Sequence, residues 1–373
     1  MKKIAIIGAS YLQLPLVKKA KDMGLETHCF AWEKGAVCAE YADFFYPIST
    51  INKEAILKEC QQIGIDGIVS IASDIAVPTV NYVASHMNLP GNDDAFSDMV
   101  TNKMKMRECF AKNAVPSPKF HMTKTADVAG YTDNLAFPVI VKPTDRSGSR
   151  GVEKVETREH LGEAVERALQ ESFAGEAIIE EYVDGCEVSV ESISWQGQHY
   201  ILQITDKVTT GAPHFVELEH HQPSSLPSNI QLRIKDIVRN ALDALHIEYG
   251  ASHSELKISD NGEIKIIEVG ARMGGDFIGS DLVMLSTGYD FLKGVIEVSL
   301  GDFHAPQITT HKFSGVYFLS EETKHLKSII ENRKDNPEIV EAQITSPLLK
   351  HIECSGDRSG YLIYQSVNGK LEL

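Results

Sequence analysis

Residues 252–269 read Ser-His-Ser-Glu-Leu-Lys-Ile-Ser-Asp-Asn-Gly-Glu-Ile-Lys-Ile-Ile-Glu-Val, two strand-like runs either side of Asn261-Gly262. Asn-Gly is a strong signal for a two-residue hairpin turn, because both residues tolerate the positive φ that such a turn needs. With Asp260 opposite Glu263 at the turn, the ladder sets Glu255 directly across from Glu268. Like charges so placed repel. A cation between them removes the penalty, and two carboxylates a strand-width apart suit magnesium. The alternative is a slightly shifted register with both glutamates in solvent.

Two further stretches have chemistry in reach. Residues 144–152, Thr-Asp-Arg-Ser-Gly-Ser-Arg-Gly-Val, follow a strand ending in Val141-Lys142-Pro143. Small residues let backbone N–H groups approach an anion, and the serine hydroxyls and arginines add donors. No Gly-Lys-Ser/Thr opens a helix, so this is not a Walker loop; a plain surface loop is the other reading. Residues 178–187, Ile-Ile-Glu-Glu-Tyr-Val-Asp-Gly-Cys-Glu, end a buried strand in acids. A strand end with free N–H and C=O groups can pair with an adenine, and a carboxylate suits ribose hydroxyls. Taken alone, it also reads as a solvated acidic strand end.

The elements that must position these pieces follow from periodicity. Residues 3–8, 26–30 and 66–72 read as strands, and 12–23, 52–63 and 76–86 as helices, an alternation that predicts a small parallel α/β domain. Gly8-Ala9-Ser10 after the first strand lacks the G-x-G-x-x-G pattern, with Tyr11 and Gln13 where glycines would fall, and reads as a tight turn. Thr101 is placed to cap a helix running to about residue 113, and Pro116-Ser117-Pro118 marks a boundary. Then come a strand over 137–142, a helix over 157–171, a strand over 177–182, a hairpin of 187–195 with 199–207 turning at Gln196-Gly197, a helix over 229–246, and the hairpin of 251–258 with 263–269. Beyond about residue 300 the pattern weakens.

The 373 residues are 43% hydrophobic, enough for two or three packed domains. No run of eighteen apolar residues suggests a membrane span, and the N-terminus does not resemble a signal peptide. Six scattered cysteines are expected to be reduced thiols in a cytoplasmic protein, with no zinc spacing. A net charge of −16 argues against nucleic acid as a partner.

The pieces occur in an order that resembles the ATP-grasp superfamily over about residues 1–300. The matching stretches are Asn102-Lys103, Val141-Lys142-Pro143, Ser147-Gly148-Ser149-Arg150-Gly151-Val152, Glu180-Glu181-Tyr182-Val183, Gly185-Cys186-Glu187, Glu255 and Glu268-Val269-Gly270-Ala271-Arg272. The resemblance implies an α/β ATP-grasp fold: a Rossmann-like N-terminal domain over 1–100, an ATP-grasp domain over 101–302 with a lid at about 116–185, and a C-terminal segment, 303–373, completing the catalytic part. It also implies the ligands. Lys103 and Lys142 contact phosphates, Lys142 also lying near the adenine. Ser147, Gly148, Ser149, Gly151 and Val152 form the phosphate loop. Main-chain atoms of Glu181 and Val183 hold the base, with Glu180 near its amino group and Glu187 on the ribose. Lys207 reaches phosphate, and Glu255 and Glu268 ligate magnesium, for which manganese can substitute. Many members carry Asn two places after the second metal glutamate; here that position is Gly270.

Within the superfamily, Leu12-Gln13-Leu14-Pro15-Leu16, Thr205-Asp206-Lys207-Val208-Thr209-Thr210 and Pro213-His214-Phe215-Val216-Glu217 are most similar to L-amino-acid ligases. Such a likeness implies an acyl phosphate formed from a carboxylate and ATP, then captured by an amine, with small-molecule partners only and a homodimer compatible. Arg272 is then expected to hold the acid substrate with its planar fork, and His214 to serve the acceptor side. The alternative for Arg272 is a structural salt bridge to Asp276 or Asp281. Two functional alternatives stay open: another ATP-grasp chemistry, such as a biotin carboxylase-like or purine-pathway reaction, and a non-catalytic nucleotide-binding protein.

Overall fold

The computed structural model describes residues 1–128, 136–146 and 150–373. Four short strands, β1 (Lys3–Ile7), β2 (Glu26–Phe30), β3 (Phe44–Tyr46) and β4 (Gly67–Val69), form a parallel sheet in the order β3-β2-β1-β4. Strands β1 and β2 are buried along almost their whole length, as parallel strands covered on both faces must be. The edge strand β3 was not foreseen; its three residues carry too little pattern.

A second sheet is antiparallel, in the order β5-β8-β6-β7: β5 (Phe120–Thr123), β6 (Val139–Pro143), β7 (Glu153–Val155) and β8 (Ala177–Glu181). Its core of Val139, Val141, Val155 and Ile179 is closed by the amphipathic helix Leu161–Glu171, so this small layer has its own hydrophobic centre.

The largest layer is an eight-stranded antiparallel sheet. Its members are β9 (Cys186–Trp195), β10 (Gln198–Thr209), β11 (Glu217–Gln222), β12 (Gly250–Ile258), β13 (Ile264–Gly270), β14 (Phe313–Leu319), β15 (Ile339–Ile344) and β16 (Gly360–Ser366). Their order is β13-β12-β9-β10-β11-β14-β16-β15. The weakly patterned C-terminal stretch therefore supplies three strands of this sheet. The helix Phe291–Ser299, apolar nearly all round, is buried between the large sheet and the parallel layer, and one core joins Ile4 and Ile6 to Ile193, Met273 and Phe291. Among the described residues, no helix is long and apolar enough to cross a membrane, and all six cysteines are free.

Three local expectations need correction. The cap of the helix Lys103–Lys112 is Asn102, whose side chain accepts from the Lys105 N–H at 3.1 Å; the Thr101 hydroxyl instead donates back to the Ser97 carbonyl. The strand expected to start at 137 starts at 139, after a cis Phe137-Pro138 bond.

The third correction concerns the β12–β13 hairpin. Its loop has three residues, Asp260, Asn261 and Gly262, with Gly262 at φ 78 and Ser259 and Glu263 closing it. Near the loop the register is consequently shifted by one, with Lys257 opposite Lys265. A bulge beyond Leu256–Ile266 restores the offset, and Glu255 does face Glu268. The facing pair was reached by a two-residue turn that does not exist; the bulge supplies the missing step.

Chain passage from the small layer to the large sheet runs through Gly185, at φ 112, where a Cβ would lie 2.0 Å from the Ile258 carbonyl oxygen. Gly185→Ala is therefore expected to cost about 2 kcal/mol or more. An unchanged urea midpoint would mean that the two backbones do not meet there.

Candidate active site

Between the small sheet and the large one lies a cleft of about 210 Å³. Strand β6 contributes Ile140 and Lys142; the end of β8 and the segment after it contribute Glu180 to Val183. From the large sheet come Lys207 of β10, Glu255 of β12, and Ile267 and Glu268 of β13. The bulge explains why two successive residues of β13 reach one side. Ile267 is the extra residue, so both it and Glu268 line the cleft, where strict alternation would have turned one away.

Every cation here is held by carboxylates. Lys103, buried, donates to Glu268 Oε1 at 2.9 Å and to the Arg146 carbonyl at 2.7 Å. Burial opposes its charge, but Glu268 outweighs it and raises the ammonium above the ordinary lysine range. Lys207 sits among Glu187 and Glu255, each at 2.7 Å, and Glu217 at 3.6 Å. Those three acids overcome burial and raise its pKa further. In return Glu255, half-buried, is held well below the usual carboxylate range by Lys207 and His253 against the cost of desolvation. Lysines thus do for the facing glutamates what the sequence assigned to a metal ion.

Lys142 differs. Its Nζ lies 2.6 Å from Glu180 Oε2, but the other oxygen of Glu180 is 2.7 Å from Arg107 Nε. One buried carboxylate serves two cations, and the Arg107–Glu180 contact lacks the alignment of a hydrogen bond. Burial, with Arg107 and Lys103 nearby, pulls Lys142 below the ordinary lysine range despite Glu180. This corner carries an excess of positive charge without a protein counterion. Arg107 was not singled out in the sequence; it is fully buried and donates to the Ile267 carbonyl at 2.6 Å. A charged residue on the inward face of an otherwise polar helix was the available signal.

The remaining sequence candidates are distributed as follows. Glu181 turns its carboxylate to Lys265 at 2.9 Å, and its N–H is spent on the Lys119 carbonyl, which leaves only part of its main chain for a base. Val183 lines the cleft, and among the described residues no main-chain hydrogen bond engages it. Val152 also lines the cleft. Gly151, at φ 69, packs on Pro143. Ser147, Gly148 and Ser149 lie outside the described residues. His214 stands in the turn before β11 and is not among the cleft-lining residues; its neighbours Phe215 and Glu217 are.

Arg272 is ion-paired, but to neither acid anticipated. Asp74 takes Nη2 and Nε, each at 2.9 Å. Asp276 instead receives Arg358 Nη1 at 2.8 Å, while Arg358 Nη2 reaches Glu217 Oε2 at 3.1 Å and the guanidinium stacks on Phe318. Beside them His220 is buried with neither ring nitrogen hydrogen-bonded, and burial keeps its pKa below the usual value. Successive positive φ values at Asp276 and Phe277, followed by the π-turn Ile278–Leu282, bring Asp276 to Arg358. His253, two residues before Glu255 on the same face of β12, bonds Glu191 and lies 3.4 Å from Glu255; Glu191 outweighs burial and raises the imidazole to about 9. His253 was not singled out in the sequence; its place two residues before Glu255 on one strand face was the available signal. Nothing local pointed to Arg358, which comes from the last hairpin.

Among the described residues no group of three or more His, Cys, Asp or Glu side chains is arranged to hold a metal. Glu255 and Glu268 offer oxygen donors from adjacent strands, the donor type magnesium takes together with phosphate oxygens and water. Gly270 adds no ligand.

A family model for the ATP-grasp domain matches residues 135–281. The chain is 27% identical over 272 residues to an uncharacterised protein of Sinorhizobium fredii, covering 68% of this chain and 54% of that one. It is 26% identical over 245 residues to the alanine–anticapsin ligase of Bacillus subtilis, covering 60% and 51%. The matches thus span about half the length of these curated relatives. Among solved structures, an L-amino acid ligase from Bacillus licheniformis superposes with a TM-score of 0.81 at 24% identity, over 99% of this chain and 94% of that one. Residues 135–281 thus carry a match to the ATP-grasp domain, and the chain shares the α/β fold of these ATP-grasp structures.

Arg107→Met deprives the Ile267 carbonyl of its charged donor and Glu180 of one of its two cations, and is expected to destabilise the protein by about 1–3 kcal/mol. Chemical denaturation checks this. A cost below about 1 kcal/mol would mean that Lys142 alone balances Glu180.

Proposed function

We propose that the chain is an ATP-dependent ligase that joins a carboxylate, in particular an amino acid, to an amine, with release of ADP and phosphate. The observation that carries this reading is the pairing of Lys103 with Glu268 and of Lys207 with Glu255 on the wall of one cleft. Phosphates would take over the lysines, and a divalent ion, magnesium or manganese, would take over the glutamates. That ion, bound with ATP, supplies further neutralisation of phosphate charge.

The chain's own residues then have distinct work. Lys142, short of counter-charge, attracts the phosphates. Ile140, Val152 and Ile267 give a base its apolar surroundings, and the unengaged main chain of Val183 gives it hydrogen bonds. Glu187 is placed for the ribose once Lys207 turns to phosphate. Arg272 holds the acid with one oxygen toward the γ-phosphate. Attack there forms the acyl phosphate and ADP; the amine displaces phosphate and loses a proton as the amide forms. Catalysis in this scheme is positioning and electrostatic stabilisation. The acceptor end is assigned to Phe215 and Glu217, which line the cleft where their neighbour His214 does not. The names of relatives, alanine–anticapsin ligase and D-alanine–D-alanine ligase, support an amino-acid substrate over the carboxylation and purine-pathway reactions run on the same fold.

An ADP-release screen over pairs of amino acids, with mass spectrometry of the products, tests the reading. ADP formation that requires both partners and yields a dipeptide is expected. Lys142→Ala should weaken ATP binding about tenfold or more. Arg272→Lys should lower amide formation about 100-fold with little change in ATP affinity. ADP release indifferent to every acid and amine would contradict the ligase reading.

A further inference from the structure

Gly270 lies between two features that are distant in the chain. A Cβ built there would meet Asp74 Oδ1 at 2.8 Å and Arg272 Cζ at 3.1 Å. The volume of a side chain at position 270 is therefore already occupied, by a carboxylate from another layer of the protein. Asp74 opens the short 3₁₀ turn Asp74–Ala76 beyond β4 of the parallel sheet. The same segment is fastened a second time, by the Ala72 N–H donating to the Met273 carbonyl at 3.1 Å, with Ala72 at φ 54. Residues 72–74 are thus docked on residues 270–273 by two independent contacts.

The geometry of the pair matters for what Arg272 can still do. A guanidinium has a side edge, formed by Nε and one Nη, and an end edge formed by both Nη groups. Asp74 takes the side edge: Nη2 donates to Oδ2 at 2.9 Å, and Nε lies 2.9 Å from Oδ1 as an ion-pair contact without hydrogen-bond alignment. The nearest partner of Nη1 is the Met273 carbonyl, at 3.5 Å. Both Arg272 and Asp74 line the cleft, and the arginine is mostly enclosed. A long side chain held by a hydrogen bond at Nη2 and an ion pair along its side edge has few ways left to point its end edge, and a fixed planar fork recognises an anion with less loss of freedom on binding.

We infer that Asp74 is a positioning residue for Arg272, reaching it through the space that Gly270 leaves open, so that the parallel N-terminal layer aims the anion-binding fork of the cleft. The inference rests on the ligase reading for the identity of the anion, a substrate carboxylate or its acyl phosphate. Its geometric part stands independently. Gly270, in this account, is selected for absence of bulk.

The test has a catalytic arm and a stability arm. Asp74→Asn keeps the shape and removes the charge. It should lower amide formation about 100-fold, the order expected when a substrate-holding group is misaimed. ATP affinity should stay within about twofold, because Asp74 makes no planned contact with the nucleotide. The ratio of amide to ADP should fall, since an ill-held acyl phosphate is lost to water. A merely structural bridge would leave that ratio and the KM for the acid at wild-type values in the folded fraction, and this result overturns the inference.

The stability arm needs no activity. Gly270→Ala should lower the melting temperature in the wild-type background and cost much less in an Asp74→Ala background, where the occupying carboxylate is gone. Equal costs in both backgrounds would overturn the steric link between the two positions. Should the wild-type protein form no amide from any pair tried, the ligase reading fails in the first arm while the second still decides the geometry.

Discussion

Burying a lysine is tolerable only while a negative charge stands beside it, and this constraint shapes the whole cleft. Lys103 and Lys207 are enclosed, and each is kept charged by a glutamate on β13 or β12. Neither pair is optimal for stability alone; apolar residues of similar volume would serve as well or better. What the pairs maintain is two enclosed lysine charges, each matched by a partly exposed glutamate. Removing the glutamates would strand the lysines, and removing the lysines would set Glu255 against Glu268 across the ladder. Under the proposed reading a phosphate–metal complex would redistribute these partners, phosphate taking the lysines and the divalent ion the glutamates.

The three layers have separable duties around that arrangement. The large sheet brings Lys207, Glu255 and Glu268 to adjacent strands, and the bulge in β13 lets Ile267 share their side of the cleft. The small layer, with its own core, brings Lys142 and Glu180 from diagonal positions on β6 and β8 and meets the large sheet at Gly185. The layer has an independent core, and besides Gly185 it is tied to the rest mainly by polar contacts such as Lys265–Glu181 and Arg107–Glu180. The parallel layer is continuous with the main core through the helix Phe291–Ser299, so Asp74 reaches the cleft from a rigid support.

Sequence and structure part company along physical lines. Elements with strong periodicity, such as the β9–β10 hairpin and the helix Ser228–Ala244, were legible because local pattern determines them. The opposition of Glu255 and Glu268 was legible in outcome only: a three-residue loop and a bulge each shift the register by one and cancel. Ion-pair partners were not legible. Arg272 was matched with nearby acids in the chain, yet its partner Asp74 is brought by a different sheet. Arg358 and its partners Asp276 and Glu217 come from three distant segments, and no local pattern encodes that meeting. The C-terminal strands were missed for a related reason, since they complete a sheet begun elsewhere.

The claim that the lysine–glutamate pairs hold places for phosphate and metal is tested most directly by calorimetry of ATP binding to the wild-type protein and to Glu268→Gln, with magnesium and with a chelator. In the wild type, magnesium should tighten ATP binding by about tenfold or more, because only the complete complex satisfies both members of each pair. Glu268→Gln should abolish most of that difference while leaving metal-free ATP binding equal or tighter, Lys103 having lost its competing partner. Identical ATP affinity with and without magnesium in the wild type, or a full magnesium effect retained in Glu268→Gln, would contradict the account.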